Sequence, residues 1–290
     1  MLKKLLKYDI RAVAGLWWIG AVVSVAASIL GAILMRFSIA VSDSNTPSVI
    51  LKMFATLALI VGIFCVIAVA VSYVFTMILV FVRFYRHFFT DEGYLTFTLP
   101  VKRSTLLLSK SVNAVIWFAA HSLVVGMSML IFAVLVTPPK YGGFFINFAV
   151  LDSIWELLSL LWQYIGAWLI VYILEGLLAL LVSLMFSVFL IQFCITVGSV
   201  LVKKAKLIVS VAIYYAVTSA LTTSIQIGAF VFTNFMVRGL SILVSDITVD
   251  NQGYAMIALA LLGLIAVFSA VSTAIYSVTQ YMLDRKLNLA

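Results

Sequence analysis

Six apolar stretches, Ala12–Ala40, Leu51–Val82, Ser111–Thr137, Gln163–Val202, Leu207–Phe235 and Tyr254–Met282, dominate this chain. Each is long enough to cross a bilayer as a helix, which takes about 20 residues. No stretch shows the period-2 alternation with aromatic girdles that a lipid-facing barrel needs. The fold class expected is therefore an all-α polytopic membrane protein with six transmembrane helices. Composition agrees: of 290 residues, 65% are hydrophobic and 10% charged, against roughly 25% charged in a soluble domain. A mean hydropathy of +1.25 leaves more apolar surface than a water-soluble fold can hide. Soluble enzymes, nucleic-acid binders and disordered scaffolds are excluded on these grounds.

The net charge of +8 reads as a basic membrane face. Lys3, Lys4, Lys7 and Arg11 precede the first span, and Arg83, Arg86, Lys102, Arg103 and Lys110 follow the second. Lys203, Lys204 and Lys206 separate the fourth and fifth, and Arg285 and Lys286 follow the sixth. Of 18 Lys and Arg residues, only Arg36, Lys52, Lys140 and Arg238 are left for the other side. The positive-inside rule then places both termini in the cytoplasm. A bacterial plasma membrane is the expected location.

The N-terminus is expected to be a retained span, because its apolar run exceeds a signal-peptide core. Leu2, Leu5, Leu6 and Ile10 share one helical face, so residues 1–11 read as a short interfacial helix feeding the first span. Pro138, Pro139, Gly142 and Gly143 interrupt the chain after the third span. Residues 138–162 are expected outside, with an interfacial piece over Phe144–Trp162. Glu175–Gly176 is a possible helix break, although a hairpin there would spoil the charge asymmetry. The second span is too long for a hydrocarbon core of about 30 Å, so it tilts or projects, carrying Phe84–Phe89 below the surface. The whole of 1–290 reads as one permease-like domain with its cytoplasmic segment at 83–110.

Catalytic and nucleotide-binding signatures are missing from the sequence. There is no G-x-x-x-x-G-K-[ST], H-E-x-x-H or G-x-S-x-G. No enzymatic role, catalytic residue or metal site is expected. Cys65 and Cys194 lie inside apolar runs and read as packing thiols. Glu175 and His121 are the ionisable residues well inside spans, and Glu175 is the costly one there. With Gln192 and Gln226 it forms the candidate substrate pathway; interhelical hydrogen bonding is the competing role for the glutamines. Gly20, Ser24, Ser28 and Ala32 in the first span, and Ala266, Ala270 and Ala274 in the last, form small-residue stripes. These suit close helix approach within the chain or across a dimer.

The segment Arg83–Lys110 carries Phe84, Tyr85, Phe88, Phe89, Tyr94 and Phe97. Aromatic residues this dense need cover from the membrane interface or from a partner protein. Asp91, Glu92 and Gly93 give the segment a polar, turn-prone centre. Pro100 stops one element, and Ser104 can cap the next.

Three features resemble the permease subunit of a type-2 ABC transporter of the exporter class. One is Phe88-Phe-Thr-Asp-Glu-Gly-Tyr-Leu-Thr-Phe97 just past the second span. Another is Leu99-Pro-Val-Lys-Arg103 followed by Leu106-Leu-Leu-Ser-Lys110. The last is the layout of a basic N-terminal helix, six spans and one cytoplasmic segment between spans two and three. The short loop between spans five and six departs from family members with re-entrant external helices. The resemblance implies a coupling helix over Tyr85–Leu99, with Phe88, Phe89, Asp91, Glu92, Gly93 and Tyr94 meeting a separate ATPase subunit that binds ATP and Mg. It also implies a second permease subunit, identical or not. The expected function is ATP-driven export of an amphipathic peptide, drug or lipid, through contact with membrane lipid and not nucleic acid. The alternative is a six-span secondary carrier or membrane assembly protein working without an ATPase.

Overall fold

The computed structural model describes residues 2–43, 48–90, 92–93, 98, 101–137, 149–202, 205–243 and 251–285. Among these the chain forms seven long helices: α1 (Leu2–Asp43), α2 (Val49–Phe89), α3 (Arg103–Val136), α4 (Ala149–Ile165), α5 (Trp168–Leu201), α6 (Lys206–Leu243) and α7 (Asn251–Arg285). No strand occurs among the described residues. All but α4 are long and apolar enough to cross a membrane, giving six such helices. The chain is a multi-pass, all-helical membrane protein.

Several expected boundaries move. Leu2–Asp43 is one unbroken helix, so residues 1–11 contain no separate interfacial element among those described. Its apolar register carries straight into the span without a breaker. The second helix runs on to Phe89, because Arg83–Phe89 contains neither Pro nor Gly to stop it. At 41 residues, it reaches about 60 Å, twice the bilayer core. The break after the third span falls at Gly166, whose φ is +60°, and not at Glu175–Gly176. Only a glycine adopts that conformation without strain. Gly176, in contrast, sits inside α5 with nothing near the position of a Cβ. A helical glycine costs about 1 kcal/mol, too little to break a helix otherwise made of strong formers.

Within the stretch Phe144–Trp162, expected as an interfacial piece, the structure forms α4, Ala149–Ile165; residues 138–148 lie outside the described residues. Asp152, Glu156, Ser159 and Gln163 fall on one narrow side of it. Leu151, Ile154, Leu158 and Trp162 fall on the other. Every residue from Leu151 to Leu160 is exposed, so the apolar face of this amphipathic helix is not covered by the described residues.

The contacts gather into two compact units, Met1–Arg83 with Val112–Gly166, and Phe84–Ser111 with Ala167–Ala290. In the first, α1 and α2 form an antiparallel hairpin. Ser24 meets Ser72 at 2.5 Å between hydroxyls, and Arg83 donates to the Ala12 carbonyl at 3.2 Å. The backbones come closest at Gly31 and Gly62: a Cβ on Gly31 would lie 2.8 Å from Cys65 Cβ, and one on Gly62 would lie 2.7 Å from Met35 Cγ. The α1 stripe of Gly20, Ser24, Ser28 and Ala32 is thus used within the chain. Close approach replaces the hydrophobic effect, which lipid cannot supply between helices. Helix α3 runs parallel to α1, with Trp17 against Trp117 at 4.8 Å between ring centroids and Arg36 donating to the Leu135 carbonyl at 3.4 Å.

In the second unit α5 and α7 run parallel. Tyr172 donates to the Tyr254 carbonyl at 3.0 Å, Phe186 meets Phe268 at 5.8 Å, and Phe189 meets Tyr276 at 5.1 Å. Helix α6 returns antiparallel to α5 after a turn with Ala205 at φ +59°. The Ala266, Ala270 and Ala274 stripe of α7 is exposed, unlike that of α1. Cys65 and Cys194 are buried free thiols, matching the packing role read from the sequence.

Candidate functional site

Three places concentrate chemistry: the base of α2, a polar hub in the first unit and a groove in the second. At the base of α2, Phe84, Phe88 and Phe89 are buried. Phe84 and Phe88 pack at 5.0 Å between centroids, and Tyr85 stacks on Phe89 at 6.0 Å. Phe84, Phe88 and Phe89 are thus covered within the chain, Tyr85 is half-buried, and Phe97 lies outside the described residues. Arg86 and Glu92 form an ion pair of 2.6 Å on the exposed side. His87 Nδ1 lies 3.9 Å from the other Glu92 oxygen. Gly93 donates to the Thr90 carbonyl at 2.7 Å. A Cβ on Gly93 would fall 2.9 Å from the Phe88 carbonyl oxygen, so glycine lets the chain fold back tightly here. Asp91 and Tyr94 lie outside the described residues, as does much of the segment Tyr85–Leu99 beyond Gly93. Of the six residues expected to face an ATPase, the described ones are two buried rings, a buried glycine and an ion-paired glutamate. Close by in the same unit, Arg103 donates to the carbonyls of Leu283 at 2.8 Å and Asp284 at 3.1 Å. It caps the end of α7 and fixes the start of α3, as a cation at a helix C-terminus does.

The hub is built on His121, which is fully buried. Its Nε2 lies 3.2 Å from Ser72 Oγ and its Nδ1 lies 3.2 Å from Thr76 Oγ1. Ser72 donates to the Val69 carbonyl at 2.6 Å, so it accepts from Nε2–H. Thr76 then donates to Nδ1, which assigns the neutral ring its tautomer. Ser24 has one proton for two acceptors, the Gly20 carbonyl at 2.9 Å and Ser72, and giving it to Ser72 extends the network to α1. Trp17 and Tyr73 flank the imidazole at 6.1 Å and 5.8 Å. Both ring nitrogens are engaged, so the hub ties α1, α2 and α3 together and leaves the imidazole no open position for a ligand.

The groove lies between α5 and α7. Positions 172, 175, 179 and 183 of α5 and 261, 264 and 268 of α7 recur at helical spacing, so each set forms one face. Together with neighbouring side chains they line a cavity of about 350 Å³. Glu175 is 6% exposed, and neither of its carboxylate oxygens has a hydrogen-bond partner among the described residues. The other polar side chains on the wall are committed. Tyr172 donates to the Tyr254 carbonyl, and Ser183 donates to the Leu180 carbonyl at 2.8 Å. Buried polar atoms without partners occur elsewhere too, including the indole nitrogens of Trp17 and Trp117. Glu175 alone among them is a carboxylate, the group whose isolated burial costs most.

Gln192 and Gln226 do not join this site. Gln192 is buried and accepts a hydrogen bond from Ser111 at 2.8 Å, the interhelical role that competed with a pathway role in the sequence. It lies about 25 Å along α5 from Glu175. Gln226 is exposed on α6. Among the described residues no three His, Cys, Asp or Glu side chains gather as a metal site would require. The hub went unpredicted, since Ser72 and Thr76 carry no signal in an apolar run. The pointers to it in the sequence are His121 itself, ionisable inside a span, and the small-residue stripe on α1. No protein-family model matches the chain, and no curated protein or solved structure matches it significantly.

Proposed function

We infer that the chain is the membrane-spanning subunit of an ATP-driven exporter of amphipathic molecules, with ATP and Mg bound by a separate ATPase subunit. A second permease subunit completes the pathway. The observation that carries this reading is the base of α2. A helix twice the bilayer thickness ends on a buried cluster of Phe84, Phe88 and Phe89 capped by the exposed Arg86–Glu92 pair. A rigid, aromatic-anchored end of a long helix transmits displacement along that helix, because a packed core shifts between discrete arrangements and does not deform smoothly. The concentration of Lys and Arg around this segment supports a cytoplasmic position for it, the side where ATP is. The chain carries no phosphate loop of its own, so on this reading the energy arrives through that end.

The tagged chain is purified from its native membrane, any phosphate-loop ATPase and second permease subunit that associate with it are identified, and the complex is reconstituted. Stimulation of ATP hydrolysis by amphipathic compounds is then measured for the native chain and for Glu92→Arg, which sets two cations side by side where the ion pair stood. The reading expects stimulation in the native complex and its loss in Glu92→Arg with membrane insertion intact. Normal stimulation in the variant, or no association with an ATPase, contradicts it.

A further inference from the structure

We propose that the groove between α5 and α7 binds the cationic head of an amphipathic amine, with Glu175 as its counter-ion. This names a substrate class for the export function and rests on that reading. The wall is apolar apart from Tyr172, Ser183 and Glu175, and the first two hydroxyls donate to backbone carbonyls. Both hydroxyls have spent their proton and keep only acceptor capacity, and the one ionisable acid on the wall is Glu175, more than nine-tenths buried and accepting no hydrogen bond among the described residues. Such a group is stabilised by a ligand that brings both positive charge and N–H donors. An anion is repelled, a sugar finds too few partners, and a purely apolar molecule leaves the carboxylate unmet.

The shape fits the same ligand. A volume of about 350 Å³ lies near the lower end for small-molecule sites. Along the helices its lining runs from Tyr172, hydrogen-bonded to the Tyr254 carbonyl, to Phe268, which meets Phe186. Glu175 lies one helical turn from Tyr172, so the charged end of the ligand sits at the tyrosine end. Its apolar body extends along Ala179, Val182 and Ser183 toward Phe268. The aromatic edge there suits an aryl or branched alkyl body.

The test uses the full chain in nanodiscs of zwitterionic lipid without any ATPase, so it stands apart from the fate of the export reading. Two fluorescent probes are titrated: dansylcadaverine, which ends in an ammonium, and N-pentyl dansylamide, its neutral counterpart. The proposal expects saturable dansylcadaverine binding about 10-fold tighter than that of the neutral probe, the scale of one desolvated charge pair. In Glu175→Gln this preference disappears while the neutral probe binds as before. In Ala179→Phe, which fills the groove, both probes lose saturable binding and the circular dichroism spectrum stays native. Absence of saturable binding to the native chain overturns the proposal. So does a cation preference that survives Glu175→Gln, or binding unaffected by Ala179→Phe.

Discussion

The His121 hub of the first unit and the α5–α7 groove of the second meet the problem of polar groups in lipid in opposite ways. In the first, His121, Ser72, Thr76 and Ser24 satisfy one another across three helices. The backbones beside them come close enough at Gly31 and Gly62 to exclude any side chain. In the second, α5 and α7 touch at Tyr172–Tyr254 and Phe186–Phe268 but leave a cavity between, with an unmet carboxylate on its wall. A closed polar network specifies one packing, whereas an open one costs stability that only a ligand or partner restores. The difference separates a seam that holds the fold from a seam left available for work. Function sites are where such costs persist.

Substitutions turn this contrast into opposite signs. The largest loss is expected for Gly31→Leu, which drives a side chain into Cys65 and the Gly62 carbonyl. Overpacking of this kind costs about 3 kcal/mol, read as a fall in melting temperature in detergent. His121→Ala comes next, at about 2 kcal/mol, because Ser72 and Thr76 lose their shared partner and a void remains. Glu175→Met, similar in volume and apolar, moves the other way and stabilises the isolated chain by about 1–2 kcal/mol. The smallest effect belongs to Glu92→Ala. Its ion pair with Arg86 is solvent-exposed, with side chains 62% and 44% accessible, so stability changes by under about 0.5 kcal/mol. Any loss of ATPase stimulation in Glu92→Ala is then a loss of coupling and not of folding. Equal destabilisation by His121→Ala and Glu175→Met would erase the distinction between the hub and the groove.

Much of the architecture is legible in the sequence, because a lipid solvent demands helices of bilayer length and the apolar runs mark them. The small-residue stripe on α1 also announces a close helix contact. Its partner face on α2 does not, since α2 is apolar all round and no periodicity singles out Gly62, Cys65 or Ser72. Breaks are less legible still. Gly176 beside a charge looks like a stop and is not one, while Gly166, flanked by Ile165 and Ala167, is the residue that takes a positive φ. Glu175 stands out in the sequence by the cost of its burial. The cavity does not, since Leu261, Leu264 and Phe268 are ordinary span residues until α7 is laid beside α5. At the base of α2 the aromatic density is visible in the sequence, but not that Phe84, Phe88 and Phe89 are buried against one another.

The most direct test of the contrast is the melting temperature of the full chain in one nanodisc preparation, compared between native protein and Glu175→Met. A rise is predicted, because an unmet buried carboxylate is removed. A fall would mean that Glu175 already has a structural partner, and the groove would then be a second holding seam and not a binding site.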